Sequence, residues 1–318
     1  MFRRKPQRST PTNEHIPVMI NQVMEILDPR PGEVAVDCTL GFAGHSMEFL
    51  KAVGPDGFLI ACDLDGLNIP AATEKLAEIN SSFHLHHGNF AGLPSVLAEK
   101  GFDGCDILLA DLGMSSMQVD EAERGFSFMR DGPLDMRMDT SRGRTAAELL
   151  MTLPAEELAK AFAEFGDEPE AMRIAEAIVS HRETEPLART TELKDLIMKA
   201  APVKVIQNPR PGEPSPWQQQ IRPTARVFQA LRILVNRELA SLQELLRVLP
   251  WILRPGGRAV MISFHSGEDR LVKAAFKEGM RTGLYSSISE DFVRPSPIER
   301  FQNPRSRSAK VRWAIRAV

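Results

Sequence analysis

Short apolar segments alternate with amphipathic ones along the first third of the chain. Four segments have the length and composition of buried strands: Glu33 to Cys38, Phe58 to Cys62, Phe83 to His86 and Asp106 to Ala110. Helical spacing follows the first three of them, at Ser46 to Val53, Ala71 to Ile79 and Leu93 to Lys100. Because strands that alternate with helices form βαβ units, the pattern predicts an α/β fold around a parallel sheet.

The pattern becomes almost entirely helical from Thr145 to Ala201. Thr145 and Glu148 form a capping box in front of the first of these helices. Helical spacing continues at Arg173 to His181 and at Thr191 to Lys199. We therefore predict a helical insertion between strands of the sheet.

A proline-rich segment, Pro202 to Pro223, follows the helices. It is too rich in proline for regular structure and too long for a tight connection, so it is predicted to be a linker or a substrate loop. One long helix is predicted from Thr224, because apolar residues recur at helical spacing: Phe228, Leu231, Val235, Leu239, Leu242, Leu246 and Leu249.

The remaining strands are predicted near the end of the chain. Pro255-Gly256-Gly257 indicates a turn into a strand at Ala259 to Phe264. Lys310 to Ile315 is predicted to be the last strand, antiparallel and at the edge of the sheet.

Composition narrows the class of protein. With 43% hydrophobic and 25% charged residues the chain is an ordinary globular mixture. No apolar run approaches the roughly 18 to 20 residues of a membrane helix. Residues 1–13 are basic and lack the apolar stretch of a secretory signal, so they are predicted to be a disordered tail. Cys38, Cys62 and Cys105 lie in or beside apolar segments without a C-x-x-C pair, which indicates buried free thiols in a reducing, cytoplasmic compartment.

Charge is unevenly distributed, although the net charge of -3 does not itself indicate a nucleic-acid-binding protein. From Arg294 onward Glu299 is the only acidic residue. The basic residues there are Arg294, Arg300, Arg305, Arg307, Lys310, Arg312 and Arg316. This segment is either a solvated tail or a surface that binds phosphate.

A glycine-containing turn or an acidic residue follows each of the four successive predicted strands. Gly41 to Ser46 follows the first strand, Asp63 ends the second and Gly88-Asn89-Phe90 follows the third. Asp111 then ends the fourth. The carboxyl ends of parallel strands share one edge of a sheet, where a carboxylate after the second strand binds a ribose diol. A ribose diol is also part of nicotinamide cofactors. The turn after the first strand lacks G-x-G-x-x-G, however, which disfavours a nicotinamide-dependent oxidoreductase.

Longer motifs resemble one known family, the bacterial 16S ribosomal RNA cytosine-N4 methyltransferases of the MraW (RsmH) type. The most specific motif runs from Asp111-Leu112-Gly113-Met114-Ser115-Ser116 to Asp135-Met136-Arg137-Met138-Asp139. The other matching motifs are His15-Ile16-Pro17-Val18, Asp37-Cys38-Thr39-Leu40-Gly41, Phe228-Gln229-Ala230-Leu231-Arg232-Ile233, Ile262-Ser263-Phe264-His265-Ser266 with Glu268-Asp269-Arg270, and Asn303-Pro304-Arg305-Ser306-Arg307-Ser308-Ala309-Lys310.

The resemblance implies a Rossmann-like class I methyltransferase sheet with an inserted helical domain, and S-adenosylmethionine as the cofactor. The substrate would be the exocyclic N4 amine of a cytidine in the small-subunit (16S) ribosomal RNA or the 30S subunit. Residues 14–139 and 217–318 would form the methyltransferase domain, and 140–216 an inserted substrate-recognition domain. The cofactor contacts would be Ala43, Gly44, His45, Asp63, Phe90, Asp111 and Gln118.

Candidates for catalysis and RNA binding follow from this interpretation. Many amino-methyltransferases carry Asp/Asn-Pro-Pro-aromatic after the fourth strand, where this chain has Asp111-Leu112-Gly113-Met114. Asp111 is therefore the first candidate for positioning the amine, with Asp135 and His265 as alternatives. The candidate phosphate contacts are Arg226, Arg232, Arg270, Arg305 and Arg307. No metal site is predicted, because His84, His86 and His87 lack acidic or cysteine partners.

Four residues depart from the family's pattern. Ala43 replaces a glycine, Met117 a proline, Arg222 a histidine and Gly267 a leucine. These positions touch the cofactor turn and the predicted substrate face. They leave open a second, non-enzymatic function, an RNA-binding ribosome-assembly factor of the same family with weakened catalysis.

Overall fold

A seven-stranded sheet with the strand order β3-β2-β1-β4-β5-β7-β6 forms the centre of the fold. The computed structural model describes residues 16–210 and 212–318, so the predicted tail at 1–13 and His15 lie outside the described residues. The strands are β1 Val34–Asp37, β2 Phe58–Asp63, β3 Ser82–His87, β4 Cys105–Asp111, β5 Leu253–Ser263, β6 Tyr285–Ile288 and β7 Lys310–Arg316.

Helices connect the strands and cover the sheet. Short 3-10 turns lie at Gly66–Asn68, Phe90–Gly92, Ala122–Arg124 and Pro304–Ser308. The helices are α1 Ile20–Leu27, α2 Gly44–Val53, α3 Ile69–Ala77, α4 Leu93–Glu99, α5 Ser116–Asp120, α6 Ala146–Thr152, α7 Ala155–Gly166, α8 Ala171–Arg182, α9 Thr190–Ala200, α10 Pro216–Gln220, α11 Arg222–Asn236, α12 Glu238–Ile252, α13 Ser266–Arg281 and α14 Pro297–Gln302.

The pairing of the strands confirms the predicted sheet. β1 lies between β2 and β4, and these strands, together with β3 and β5, are parallel. β7 runs antiparallel to both β5 and β6. Five parallel strands followed by an antiparallel strand beside β5 form the Rossmann-like, class I methyltransferase arrangement that the resemblance implied.

Alternate residues of the central strands pack into two separate cores. On β1, Val36 faces the core formed with α4, α12 and α13, whereas Ala35 faces the core formed with α1, α2 and α3. Both side chains are fully buried. A sheet covered on both faces explains why its strands are continuously apolar.

Two details at the end of the sheet differ from the prediction. β7 is not an edge strand, because β6 pairs with its outer side and takes the edge. The predicted turn at Pro255-Gly256-Gly257 lies inside β5, where the register against β4 shifts between Cys105 and Ile107. The three residues therefore form an irregularity within a longer strand.

The single long helix that was predicted from Thr224 is two helices in the structure. α11 ends at Asn236 and α12 begins at Glu238, with Arg237 between them in the left-handed conformation at φ 53°. The apolar spacing continues across this break, so it carried no signal of the turn. The proline-rich segment likewise contains a short helix, α10, whose first residue is Pro216, a position that tolerates proline.

Helices α6 to α9 pack around a third hydrophobic core, in agreement with the predicted helical character of residues 145–201. The capping box of Thr145 and Glu148 is present at the start of α6. The core also includes Leu134, before residue 140, and Phe228 and Leu231 of α11. The residues that form this core thus extend beyond the segment 140–216, and the limits of the inserted domain remain a prediction.

Two further features of the described residues bear on the class of protein. Cys38, Cys62 and Cys105 are buried and free, as predicted, and burial raises the pKa of each thiol. Within residues 16–210 and 212–318, no helix combines the length and apolar character needed to cross a membrane.

Candidate cofactor and substrate site

A cavity of about 1130 Å³ opens at the carboxyl ends of the parallel strands. Its walls include the turn after β1, the ends of β2 and β4, and the start of α12. Ile16 to Val18 and Gln302 to Arg305 also line it. Sites for one drug-sized ligand have about 300 to 1,000 Å³. The cavity therefore has room for a nucleoside cofactor and part of a second molecule.

The turn after β1 is held by buried polar contacts. Asp37 accepts a hydrogen bond from the Ser46 hydroxyl at 2.6 Å. Ala43 precedes α2 in the left-handed conformation, at φ 64°, which explains why glycine suits this position. A Cβ on Gly44 would lie 2.3 Å from Pro17 Cγ. The absence of a side chain at Gly44 thus lets the segment containing Pro17 close over the turn.

His45 begins the wall beside this turn and is buried. Its Nε2 lies 3.0 Å from the carbonyl oxygen of Val18, which can only accept, so Nε2 carries a proton. Its Nδ1 lies 4.0 Å from Asp111 Oδ2. Because burial lowers the pKa of His45, the ring is neutral near pH 7 and offers no positive charge to Asp111.

Asp63 ends β2 on the wall of the cavity. Its carboxylate accepts hydrogen bonds from the backbone N–H groups of Gly41 and Asp65, both at 2.8 Å, and from the Asn68 amide at 3.2 Å. Burial raises the pKa of Asp63 to about 6. An ionised carboxylate offers about four acceptor positions. One acceptor position therefore remains unused by the described residues, and the predicted contact of Asp63 with a ribose hydroxyl stays a prediction.

Phe90 lies at the cavity wall at the start of the turn after β3. The side chain of Asn89 forms this turn by accepting a hydrogen bond from the Ala91 N–H, at 2.9 Å. Its amide donates to the Ser241 hydroxyl of α12, at 2.7 Å. These two contacts hold the turn that carries Phe90 on the wall of the cavity.

Asp111 ends β4 and contributes an unsatisfied atom to the site. Its Oδ1 is buried and has no hydrogen-bond partner among the described residues. Burial, together with the charges of Asp37 and Glu268, raises the pKa of Asp111 well above its usual range. A cation bound beside Asp111 would strongly favour the ionised, carboxylate form of its side chain.

Gln118 lines the cavity, but both ends of its amide are used within the protein. Its Oε1 accepts from the Ser115 N–H at 3.0 Å, and its Nε2 donates to Asp65 Oδ2 at 3.0 Å. Arg124 donates to the same Asp65 oxygen at 2.8 Å. Gln118 therefore connects the loop after β2 to α5.

The far wall of the cavity carries two carboxylates to which no site role was assigned from the sequence, Glu238 and Glu268. Glu238 begins α12 and is paired with Arg232 through two hydrogen bonds of 2.8 Å. Glu268, in the first turn of α13, accepts from the Phe264 N–H at 2.8 Å. Glu268 belongs to a motif of the resemblance, whereas the pairing of Glu238 has no local signal.

Glu238, His265 and Glu268 offer ligand atoms that all lie within 4.8 Å of one another. Arg232 occupies both oxygens of Glu238, and its charge also acts on Glu268. This guanidinium already supplies a positive charge to the group. The sequence-based expectation that the protein holds no metal stays a prediction.

The two alternative catalytic candidates do not line the cavity. Asp135 is bound by Arg137 through two side-chain hydrogen bonds of 2.7 and 2.8 Å. His265 caps α13, and its Nε2 lies 3.2 Å from Glu268 Oε1. Of the three candidates, only Asp111 is placed to touch a molecule in the cavity, and His265 would act through Glu268.

The five candidate phosphate contacts have different environments. Arg232 is buried against Glu238 and unavailable to RNA, which corrects the prediction for this residue. Arg226 is half-buried, 3.5 Å from Glu168. Arg270 and Arg307 are exposed, and Arg305, paired with Asp120, lies at the mouth of the cavity.

The residues of the cavity fit S-adenosylmethionine, which supplies an electrophilic methyl group on a cationic sulfur. The buried, unpartnered oxygen of Asp111 suits its ammonium or sulfonium group. The free acceptor position of Asp63 suits its ribose, and Phe90 suits its adenine. The ionisation of Asp111, which is unfavourable in the empty cavity, is stabilised by such a cation.

The sheet and this site define a class I methyltransferase that depends on S-adenosylmethionine. Comparison with known proteins gives the family. The profile of the MraW methylase family matches residues 12–317. The chain therefore belongs to the MraW methylase family.

Two curated relatives illustrate the similarity. The chain is 45% identical over 318 residues to ribosomal RNA small subunit methyltransferase H of Geobacter sulfurreducens, covering 95% of this chain and 99% of the relative. It is 42% identical to ribosomal RNA small subunit methyltransferase H 1 of Lachnoclostridium phytofermentans, covering 97% and 83%. A solved putative rRNA methylase from Clostridium thermocellum superposes with a TM-score of 0.45 at 10% identity, covering 95% of this chain and all of that chain.

Proposed function

We propose that this protein transfers a methyl group from S-adenosylmethionine to the exocyclic N4 amine of a cytidine in the RNA of the small ribosomal subunit. The observation that carries the proposal is the cavity at the strand ends, whose near wall suits the cofactor and whose far wall carries hydrogen-bond acceptors. The names of the two relatives support small-subunit ribosomal RNA as the substrate. The choice of cytidine N4 rests on the resemblance of the motifs.

The described residues would act mainly by binding and orientation. Asp63 would hold the ribose and Asp111 the charged end of the cofactor, so that the methyl group faces the far wall. The lone pair of a cytosine amine is delocalised into the ring, so catalysis depends on holding this nitrogen in line with the methyl group. Acceptors placed beforehand around the amine would stabilise the charge that develops on it.

RNA would approach over the mouth of the cavity. Arg305 lies there, and Arg307 and Arg270 are exposed elsewhere on the described surface. Contacts from such residues to phosphates would position the RNA without reading its sequence. A base must leave its stack to enter such a cavity.

The proposal is tested with small ribosomal subunits isolated from cells that lack the methyltransferase. Purified protein and labelled S-adenosylmethionine should transfer label to the RNA, and mass spectrometry of the digested RNA should show N4-methylcytidine at one position. Asp63→Ala should bind the cofactor at least a hundredfold more weakly, while Glu278→Gln, on the surface of α13, serves as the control. Label on another base, or none with the wild type, would overturn the proposal.

The structure gives no support to the alternative of a catalytically weakened assembly factor. Ala43 is accommodated at the start of α2, with its side chain in the core. Gly267 lies in the first turn of α13 without interrupting the helix. Neither replacement removes an acceptor from the cavity.

The other alternative, a nicotinamide-dependent oxidoreductase, is tested by calorimetry with S-adenosylmethionine, S-adenosylhomocysteine and NAD.

A further inference from the structure

The part of the cavity beyond the cofactor residues has a flat aromatic side and an acidic side. Phe264, directly after β5, and Glu268 both line the cavity, as does Glu238. Glu268 lies close enough to Asp111 for its charge to raise the pKa of that residue. This part of the cavity therefore adjoins the carboxylate that faces the charged end of the cofactor.

Phe264 can occupy its position because Gly113 has no side chain. A Cβ on Gly113 would lie 3.2 Å from Phe264 Cδ2, and the backbone there has φ +125°, which L residues rarely adopt. Amino-methyltransferases with the Asp/Asn-Pro-Pro-aromatic motif carry an aromatic residue after the fourth strand, where this chain has Met114. In this chain the aromatic ring beside that loop is Phe264, which comes from the end of β5.

Glu268 is held as a charged acceptor. Burial favours its protonated form, but contact with His265 and the charge of Arg232 outweigh this and keep the pKa of Glu268 below its ordinary value. Its carboxylate already accepts N–H groups of Phe264 and His265, at 2.8 and 3.3 Å, and faces His265 Nε2. Both N–H groups donate to Oε2, and His265 Nε2 makes no hydrogen bond to any described residue, so Oε1 keeps unused acceptor positions.

We propose that Phe264 and Glu268 form the subsite for the target base, with the base stacked on Phe264 and its exocyclic amine donating to the Glu268 carboxylate. The inference rests on the proposed function and names the residues that select its substrate. Unstacked bases commonly lie on aromatic side chains, and carboxylates accept from the N4 amine of cytosine. A uracil would place a carbonyl oxygen against the same carboxylate and be repelled.

The subsite accounts for both steps of the reaction, the transfer of the methyl group and the loss of a proton from the amine. The amine lone pair forms the bond from nitrogen to the methyl carbon, while the carbon–sulfur bond breaks and its electron pair stays on sulfur. The nitrogen then loses one proton, which Glu268 accepts and passes to water. A weak base suffices, because the methylated amine is acidic while it is positively charged.

The test measures binding without turnover. Wild-type protein is titrated, in the presence of S-adenosylhomocysteine, with small subunits that carry cytidine or uridine at the position mapped by the methylation assay. The wild type should bind the cytidine form about tenfold more tightly or better, within the discrimination typical of a good polar base contact. Glu268→Gln should reduce this ratio to within about threefold, because an amide can also donate to a carbonyl.

Two matched variants separate the roles. Glu278→Gln, an exposed residue of the same helix, should keep the wild-type ratio. Phe264→Leu should weaken binding of both subunit forms by a similar factor and leave the ratio unchanged, because stacking does not depend on which base is present. It also serves if Glu268→Gln fails to fold, as judged by circular dichroism.

The outcomes distinguish this inference from the proposed function. Methylation of cytidine by the wild type, with an undiminished cytidine preference in folded Glu268→Gln, would overturn the subsite and leave the function standing. Equal binding of the two subunit forms by the wild type would overturn it as well. Absence of any methylation of small-subunit RNA would instead overturn the function.

Discussion

Asp65 and Arg124 form an ion pair of 2.8 Å, from Oδ2 to Nη1, in which both side chains are more than nine-tenths buried. Asp65 belongs to the loop after β2, next to Asp63. Arg124 also donates to the backbone carbonyls of Arg137 and Met138. One guanidinium therefore joins the loop after β2 to the long loop that precedes α6.

Replacement of Arg124 by leucine should destabilise the protein by about 3 kcal/mol or more, because breaking a buried ion pair leaves the charge of Asp65 without an opposite charge. Urea unfolding, followed by circular dichroism, measures the loss. The control is Arg281→Leu, which removes an exposed pair with Glu278 and should leave the unfolding free energy nearly unchanged. Similar losses in the two variants would contradict the importance of burial.

Gly125→Ala should lower the unfolding free energy by more than about 2 kcal/mol, since a left-handed residue with a side chain costs about 1 to 2 kcal/mol before any clash. Gly125 has φ +73°, and its Cβ would lie 2.2 Å from the Pro133 carbonyl oxygen. Gly143→Ala is the matched control, because Gly143 has φ +80° with no atom within 4 Å. It should show the conformational cost alone. Equal losses in urea unfolding would refute the predicted clash.

Cofactor affinity should fall as the pH falls through about 6. Burial raises the pKa of Asp63 to about 6, so the protein without cofactor takes up a proton there below that pH. Ribose binding needs the carboxylate, so the proton competes with the cofactor. At pH 5 the apparent Kd for S-adenosylmethionine should be about tenfold higher than at pH 7.5.

Calorimetry at several pH values, with Asp63→Asn alongside, checks this dependence. The variant should bind weakly at every pH and show a smaller pH effect. What remains would come from Asp111, whose pKa is raised in the same direction. An unchanged Kd between pH 7.5 and 5 in the wild type would remove the ionisation of Asp63 from cofactor binding.

Asp111→Asn should weaken S-adenosylmethionine binding by roughly ten- to a hundredfold, the effect of losing a hydrogen bond between charged groups worth about 1.5 to 3 kcal/mol. If Glu268 accepts from the amine and Asp111 only holds the cofactor, saturating cofactor should restore the single-turnover rate to within about threefold of wild type. A rate that stays much lower at saturation would assign Asp111 a direct part in the chemistry.

RNA binding should depend on salt through the C-terminal arginines. Replacing both Arg305 and Arg307 with alanine should flatten the slope of log affinity against log salt by about two, if both touch phosphate. Arg247 and Arg281, exposed arginines of α12 and α13, provide the control pair. Identical slopes for wild type and the Arg305/Arg307 variant would show that this segment is only solvated.

Local patterns predicted the parallel half of the sheet well. Strands β1 to β4 were found within one or two residues of their limits, because each is a short apolar run bounded by a turn. The acidic residues at Asp63 and Asp111 were likewise recognisable, since the ends of parallel strands meet at one edge. The position of these two residues in the sequence was enough to place them at the ends of their strands.

Features that depend on distant partners could not be predicted in the same way. The apolar spacing runs through Arg237, where the chain turns so that α12 can pack against the turn after β3. Arg232 was predicted to face RNA, but it is buried by its pairing with Glu238, which lies beyond that turn. Glu238 and Phe264 likewise come to line the cavity through contacts between segments that are distant in the sequence.

The position of β7 has a consequence for how the protein is made. β7 is the last strand to leave the ribosome during synthesis, yet it lies between β5 and β6. Until it is synthesised, β5 has an open edge and β6 has no strand to pair with. Unpaired edges invite association with other chains. A chain released before Lys310 would therefore be a target for chaperones and proteases, even though every residue that lines the cavity had already been translated.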